Sequence, residues 1–311
     1  MKKTAIGTSH AKVILLGEHA VVYGQPAIAL PLPDITFTAV MEERSSGQMI
    51  LGQAYQGPLS NLAENYEGIR QLITKLLRHF DAQDLAFTLR ITSSIPQERG
   101  MGSSAASAIA ITRAFYAFFG AELTDQRLQH WASIEEGITH GSPSGIDAAT
   151  VASLLPVWFV KNDAPTPIEF NLDGVLIMAD TGIHGQTGLA VSVVRSNLAD
   201  TPRETQAHIE ALGDLTTQAK DILAAGQAEA LGALMNTAQD HLNGLGISHP
   251  KLETLIAAAR QAGALGAKLT GGGVGGAMIA LAKNQASAQK IILALEKAGA
   301  HEVWSQSYQK K

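Results

Sequence analysis

The sequence predicts an α+β protein of two domains, and three observations carry that prediction. Its 311 residues exceed one average domain, at roughly 150 residues each. Hydrophobic residues make up 46% and charged ones only 16%, against a usual ~25%, so the chain can build a core and disorder is excluded. Strand-like and helix-like segments follow one another without the regular β-α-β alternation of a doubly wound sheet. The interior is Ala-rich, and 30 glycines mark places where backbone turns or closely approaches something.

From the N terminus, residues 13–16, 27–30 and the alternating 35–40 read as strands, with Gly24, Gln25, Pro26, Pro31 and Pro33 as loop residues between them. A helix follows at 62–80, where Ile69, Leu72, Ile73, Leu76 and Leu77 recur at helical spacing. Next come a strand at 87–91, a turn at Ile95-Pro96 and an apolar helix from Ser103. Helices at 124–139 and 143–153 complete this half, the second opened by Pro143 behind Ser142 as N-cap. Beyond residue 156 the pattern changes to short strands punctuated by Pro156, Pro165 and Pro167, then a buried strand at 175–179. Helices at 185–197, 203–225, 228–242 and 251–262 follow, then strands at 267–270 and 278–281, a helix at 285–298 and a strand at 302–305. The expected domains are residues 1–167 and 168–311, with no internal repeat.

Composition also excludes several functions. A net charge of -5, from 23 Lys+Arg and 28 Asp+Glu, leaves no basic footprint for nucleic acid or an anionic membrane, so any bound anion is held locally. The absence of cysteine removes disulfides, thiol nucleophiles and Cys-ligated zinc. The start of the chain lacks an uninterrupted apolar run, because Ser9, His10 and Lys12 intervene. The longest apolar stretch, 105–123, carries Arg113 and many alanines, so it reads as a buried helix rather than a membrane span. A cytoplasmic protein is expected.

Four segments carry chemistry. In residues 12–24 a buried strand delivers Glu18 and His19 side by side at a glycine turn, with Lys12 six residues upstream of Glu18; a capping Glu18 and a packed His19 are the structural alternative. In residues 96–106 (Pro-Gln-Glu-Arg-Gly-Met-Gly-Ser-Ser-Ala-Ala), glycines and small side chains let backbone N–H groups converge at a helix N-terminus, where unpaired donors and the dipole favour a phosphate. Ser103 and Ser104 either cap that helix or offer a hydroxyl to a metal on the phosphates. No Gly-Lys-Ser/Thr follows, so this is not a Walker A loop. Residues 268–276 formally match G-x-G-x-x-G but lack the β-α-β context and the later acidic residue, so a hairpin passing close to a partner loop is preferred over a dinucleotide site. In residues 135–147, Glu136 sits at a helix C-terminal end and Asp147 lies in an apolar run, where it needs a partner; Lys12 is the candidate. His140 has no second His or Cys at ligand spacing.

These pieces, in this order, resemble the GHMP small-molecule kinases, and more narrowly the mevalonate kinases. Gly-Glu-His-Ala-Val-Val-Tyr-Gly at 17–24 and Ser-Pro-Ser-Gly-Ile-Asp at 142–147 are the discriminating matches; residues 96–106 and 268–276 match motifs shared across the superfamily. The resemblance implies a two-domain α+β fold, with a ribosomal S5 domain 2-like N-terminal half and an α/β sandwich C-terminal half. It implies ATP-dependent phosphorylation of (R)-mevalonate to 5-phosphomevalonate on the route to isoprenoid precursors, with Mg²⁺. Pro96, Gly100, Met101, Gly102, Ser103, Ser104, Ala105 and Ala106 would hold the ATP phosphates, and Ser104 and Glu136 would ligate Mg²⁺. Asp147 would act as general base or orienter with Lys12 as its partner, while Glu18, His19, Ser144, Thr187, Gly271 and Gly272, with Lys12 and Asp147, would contact the substrate. A homodimer is also implied. Two departures stand out: Glu98-Arg99 replaces a glycine near the phosphate loop, where Arg99 is expected to be solvated, and Gly272 and Ala277 replace residues commonly Ala and Cys, which reads as small-for-small.

Overall fold

The computed structural model describes residues 2–95, 99–140 and 145–309. The chain forms two compact units built from interleaved segments. The first comprises Met1–Lys12, Pro31–Pro96 and Met101–Leu154, and the second Val13–Leu30, Gln97–Gly100 and Leu155–Lys311. A single cut after residue 167 would place Val13–Leu30 and residues 155–167 in the first half, whereas their packing places them in the second.

Strands β1 (Thr4–Leu16) and β2 (Ala27–Glu43) each contribute to both units. The first unit adds β3 (Gln48–Leu51), β4 (Gln56–Pro58), α1 (Glu67–His79), β5 (Phe87–Ser93), α2 (Ser103–Phe119), α3 (Asp125–His140) and α4 (Ile146–Ala152). Here β2 pairs antiparallel with β5, from Phe37 opposite Ser93 to Glu43 opposite Phe87. β3 runs parallel to β5 and antiparallel to β4. Helix α2 is buried almost all round and packs on α1, α3 and α4, as its Ala-rich sequence without a polar stripe requires. Strand β1 comes so close to α2 that a Cβ on Gly7 would lie 2.0 Å from the Ala110 carbonyl oxygen.

Several boundaries differ from expectation, among them the start of β1, which runs from Thr4 rather than from residue 13. β2 continues through Pro31 and Pro33, because these prolines fall between its pairing with β6 at Ala27 to Ala29 and its pairing with β5 from Phe37. The helix expected at 62–80 starts only at Glu67, since residues 59–66 wind into two short 3-10 turns.

The second unit holds β6 (Val157–Phe159), β7 (Thr166–Pro167), β8 (Val175–Asp180), α5 (Thr187–Asp200), α6 (Pro202–Ala225), α7 (Ala228–Gly244), α8 (Pro250–Gln261), β9 (Gly266–Thr270), β10 (Ala277–Ala282), α9 (Gln285–Lys297) and β11 (Glu302–Ser307). An antiparallel sheet runs in the order β11-β8-β10-β9, with Asp180 at the end of β8 opposite both Ala277 and Glu302. Every residue of β8, β9 and β10 is buried, which explains their continuous apolar runs. α7 and α8 pack on β9, and α9 on β8, β10 and β11. The connection from β9 to β10 is the glycine segment 271–276, the expected hairpin.

Candidate active site

In the first unit, Lys12 and Asp147 come together as the sequence suggested. The Lys12 ammonium lies 2.8 Å from Asp147 Oδ1, with side chains 6% and 35% exposed. A nearly buried ammonium requires such a partner, while the aspartate keeps one side open. Asp147 stands in the first turn of α4, which starts at Ile146 after a left-handed Gly145. The helix expected from Pro143 is thus shorter by three residues at its start, and Ser142, Pro143 and Ser144 lie outside the described residues.

The loop before α2 is tied to the same lysine: the Lys12 backbone N–H donates to the Met101 carbonyl at 3.0 Å. Gly102, at φ 75°, is the N-cap of α2, and no side chain caps it. A Cβ on Gly102 would sit 2.9 Å from Lys12 Cγ and 3.3 Å from Val151 Cγ1, so only glycine permits both the turn and the packed lysine. With no side-chain cap among the described residues, the first-turn N–H groups of α2, at Ser103, Ser104 and Ala105, suit an anion. Gly100 and Ala106 flank this turn, and Pro96 lies outside the described residues.

The serines do not cap α2. Ser104 Oγ donates instead to Glu135 Oε2. Glu135 thus adjoins Ser104 as a second candidate carboxylate, while the side chain of Glu136, the carboxylate expected as metal ligand, lies outside the described residues. The reason is helical period: Leu128, Trp131, Ala132 and Glu135 form the buried face of α3, and Glu135 is only 3% exposed. A hydroxyl and a carboxylate side by side are hard oxygen donors, the set Mg²⁺ prefers when phosphates and waters complete its shell.

In the second unit, the turn after β1 carries Glu18 and His19. Glu18, expected at the substrate, is 3% exposed and ion-paired with the fully buried Lys268 of β9. Burial pulls the Lys268 ammonium below the usual lysine range, and the Glu18 carboxylate opposes that pull. The pair fixes the turn that presents His19.

His19 adopts φ 59°, a strained backbone for a non-glycine residue. Its Nε2 lies 2.8 Å from the Gly272 carbonyl, so this nitrogen is the donor and Nδ1 the acceptor. Nδ1 is buried and has no hydrogen-bond partner among the described residues. Burial, reinforced by the Lys268 charge against the opposing Gly272 bond, holds the imidazole below the ordinary pKa of 6.5 and keeps it neutral. Thr187, exposed at the start of α5, closes on the same glycine: a Cβ on Gly272 would lie 2.2 Å from Thr187 Oγ1. The exchange of Ala for Gly at 272 is thus not neutral, because α5 occupies the space a methyl group would need. The structure brings His19, Gly272 and Thr187 together, with Gly271 adjoining.

Arg99 also departs from expectation. Its Nε is 3.0 Å from Asp180 Oδ2, and its side chain is only 14% exposed. Neither Arg99 nor its partner Asp180 was separable in the sequence from an ordinary surface pair.

Comparison with known proteins follows the same lines. The model of the GHMP kinases N terminal domain matches residues 68–154, and that of the GHMP kinases C terminal matches 219–301. The mevalonate kinase of Pyrococcus furiosus is 34% identical over 301 residues, covering 90% of each chain, and that of Aeropyrum pernix is 35% identical over 295 residues, covering 91% of this chain and 90% of the relative. Among solved structures, mevalonate kinase from methicillin-resistant Staphylococcus aureus superposes with a TM-score of 0.79 at 31% identity, covering 99% of this chain and 100% of that one. L. major mevalonate kinase in complex with R-mevalonate gives 0.87 at 27% identity, covering 100% and 98%. With motifs, fold and full-length relatives in agreement, the chain belongs to the GHMP kinases and, within them, to the mevalonate kinase family.

Proposed function

We propose that the protein transfers the γ-phosphoryl group of ATP to the primary hydroxyl of (R)-mevalonate. The observation that carries this reading is the Lys12–Asp147 pair at 2.8 Å, one nearly buried cation against a carboxylate with an open side. Asp147 orients the hydroxyl and accepts its proton as the oxygen attacks the γ-phosphorus and the bond to ADP breaks. Lys12 faces the charge that gathers on the transferring group. Such a reaction asks the protein for positioning and electrostatics rather than covalent chemistry.

The uncapped first turn of α2, with Gly100, Met101 and Gly102 ahead of it, holds the phosphates by backbone N–H groups. Ser104 and Glu135 hold Mg²⁺, which neutralises phosphate charge when bound. His19 Nδ1 accepts a hydrogen bond from a hydroxyl of mevalonate, which relieves its buried and otherwise unmet acceptor. Thr187, beside Gly272, supplies a further hydroxyl to the substrate. Carried over from the family, the protein is cytoplasmic and homodimeric, and light scattering tests the second point. No helix among the described residues is long and apolar enough to cross a membrane.

A coupled ADP-release assay with ATP, Mg²⁺ and mevalonate tests the reaction, with phosphomevalonate, galactose and homoserine as competing acceptors. Turnover on mevalonate is expected, and Asp147→Ala should lower kcat by at least ~10²-fold, the lower range for loss of a general base. Absence of wild-type turnover on mevalonate refutes the reading.

A further inference from the structure

Strand β9 and the glycines that follow it hold the turn after β1 at three points, all within the second unit. Thr270 Oγ1 donates to the Ile14 carbonyl at 2.8 Å, the Lys268 ammonium pairs with Glu18, and the Gly272 carbonyl accepts from His19 Nε2 at 2.8 Å. The neighbours Glu18 and His19 are thus fastened to two points of one segment, at Lys268 and Gly272.

Stability does not explain the Lys268–Glu18 pair. Its side chains are 0% and 1% exposed, so both charges have been taken out of water. Replacing such a pair by apolar groups of similar volume is often neutral or stabilising, so its net contribution to folding is small. What the pair supplies is a fixed position. The Lys268 ammonium also donates to the Leu269 carbonyl at 2.7 Å, so the carboxylate it meets is held at a defined place on β9.

The next residue needs such an anchor. His19 has φ 59° and ψ -44°, outside the small left-handed region open to L residues, where ψ is about +30 to +60°. A backbone of this kind persists only where its surroundings over-determine it. On the other side of Glu18, Gly17 turns at φ 95° with the Pro26 carbonyl oxygen 2.3 Å from where a Cβ would stand. Glu18 is therefore a side-chain anchor between a crowded glycine and a strained histidine. That histidine presents a buried Nδ1 with no hydrogen-bond partner among the described residues.

We infer that Lys268 is a positioning residue for the substrate: through Glu18 it holds His19 so that Nδ1 meets a hydroxyl of mevalonate. The inference rests on the reading of His19 as a substrate contact.

The test compares wild type with Glu18→Gln/Lys268→Met, each with and without His19→Ala. Removing both charges together leaves neither unpaired in the core. In the ligand-free protein, imidazole nitrogen NMR, with His19→Ala to assign the signal, should show His19 as one tautomer protonated at Nε2 in wild type and as exchanging tautomers in the paired variant. Glu18→Gln alone is the milder variant and should show a smaller change in the same direction. A His19 signal unchanged in both variants overturns the inference. By titration calorimetry the paired variant should bind mevalonate about tenfold more weakly, the loss of one hydrogen bond to a buried acceptor, with ADP affinity within twofold of wild type. In the His19→Ala background the same pair of substitutions should change mevalonate affinity less than twofold, because residues that act through one another are not additive. An equal loss in both backgrounds overturns the inference, since the pair would then act on the substrate directly. So does an equal loss for ADP, which would make the pair a purely structural brace. If wild type binds no mevalonate, the substrate reading fails by itself, and the ligand-free spectra still decide whether Lys268 positions His19.

Discussion

Gly102→Ala strains both the turn before α2 and the lysine packed against it. Two costs arise. The left-handed backbone at φ 75° penalises any L side chain by about 1–2 kcal/mol. The new methyl carbon would stand 2.9 Å from Lys12 Cγ and 3.2 Å from Lys12 Cε, where carbon contacts settle at about 3.5–4.0 Å. Val151, four residues after Asp147 on α4, blocks the opposite side at 3.3 Å. Lys12 must therefore retreat by roughly half an ångström or more. The 2.8 Å contact with Asp147 then opens, at the cost of a charge-assisted hydrogen bond worth about 1.5–3 kcal/mol. If the pair serves phosphoryl transfer, kcat falls about 10- to 100-fold. Gly100→Ala is the control: its φ of 72° carries the same backbone penalty, but a Cβ there meets nothing within 4 Å among the described residues. Both variants should lose a few degrees of Tm. Only Gly102→Ala should lose the larger factor in kcat. Equal kcat in the two, measured by ADP release at saturating ATP and mevalonate, would refute the reasoning.

Three further outcomes are expected. Glu135→Gln should raise the Mg²⁺ concentration needed for half-maximal rate several-fold, through the carboxylate that meets Ser104, while Glu136→Gln should not; the reverse ranking in a metal titration restores the sequence-based choice. Gly272→Ala should drive Thr187 and α5 away and raise KM for mevalonate more than KM for ATP, whereas unchanged kinetics would show that Thr187 Oγ1 simply rotates aside. Burial is the leading cause that holds His10, His19 and His241 below the ordinary value of 6.5, so below that pH the unfolded chain binds protons that the folded chain resists. Stability must then fall as the pH drops from about 7 to 5 and level off above 7. His19→Asn should flatten that slope in a Tm series, and a wild-type Tm that does not change over this range contradicts the assignment.

The pairing of Lys12 with Asp147 shows what the sequence carries well. A charge in an apolar run must have a counter-charge, and few were on offer, so the rule of compensated burial was enough to name the partner 135 positions away. Periodicity and turn residues likewise marked the long helices and most strands, though not the short β3, β4 and β7, because amphipathic spacing and Gly/Pro punctuation are local properties. The burial of Glu135 was legible by the same means, since it continues the buried face set by Leu128, Trp131 and Ala132.

Other features had no local signal. Glu18 and Lys268 stand 250 residues apart, and nothing in either neighbourhood distinguishes a buried ion pair from a substrate contact and a solvated lysine. Arg99 and Asp180 are in the same position, as is the tolerance of β2 for Pro31 and Pro33, which depends on where its partner strands happen to end. The sequence by itself determined the class of fold, the order of elements and the chemistry the chain can offer, since these follow from residue type and spacing. Which carboxylate meets which cation or hydroxyl, and which glycine leaves room for which neighbour, was decided only by tertiary packing, because such contacts depend on interatomic distances between segments far apart in the chain.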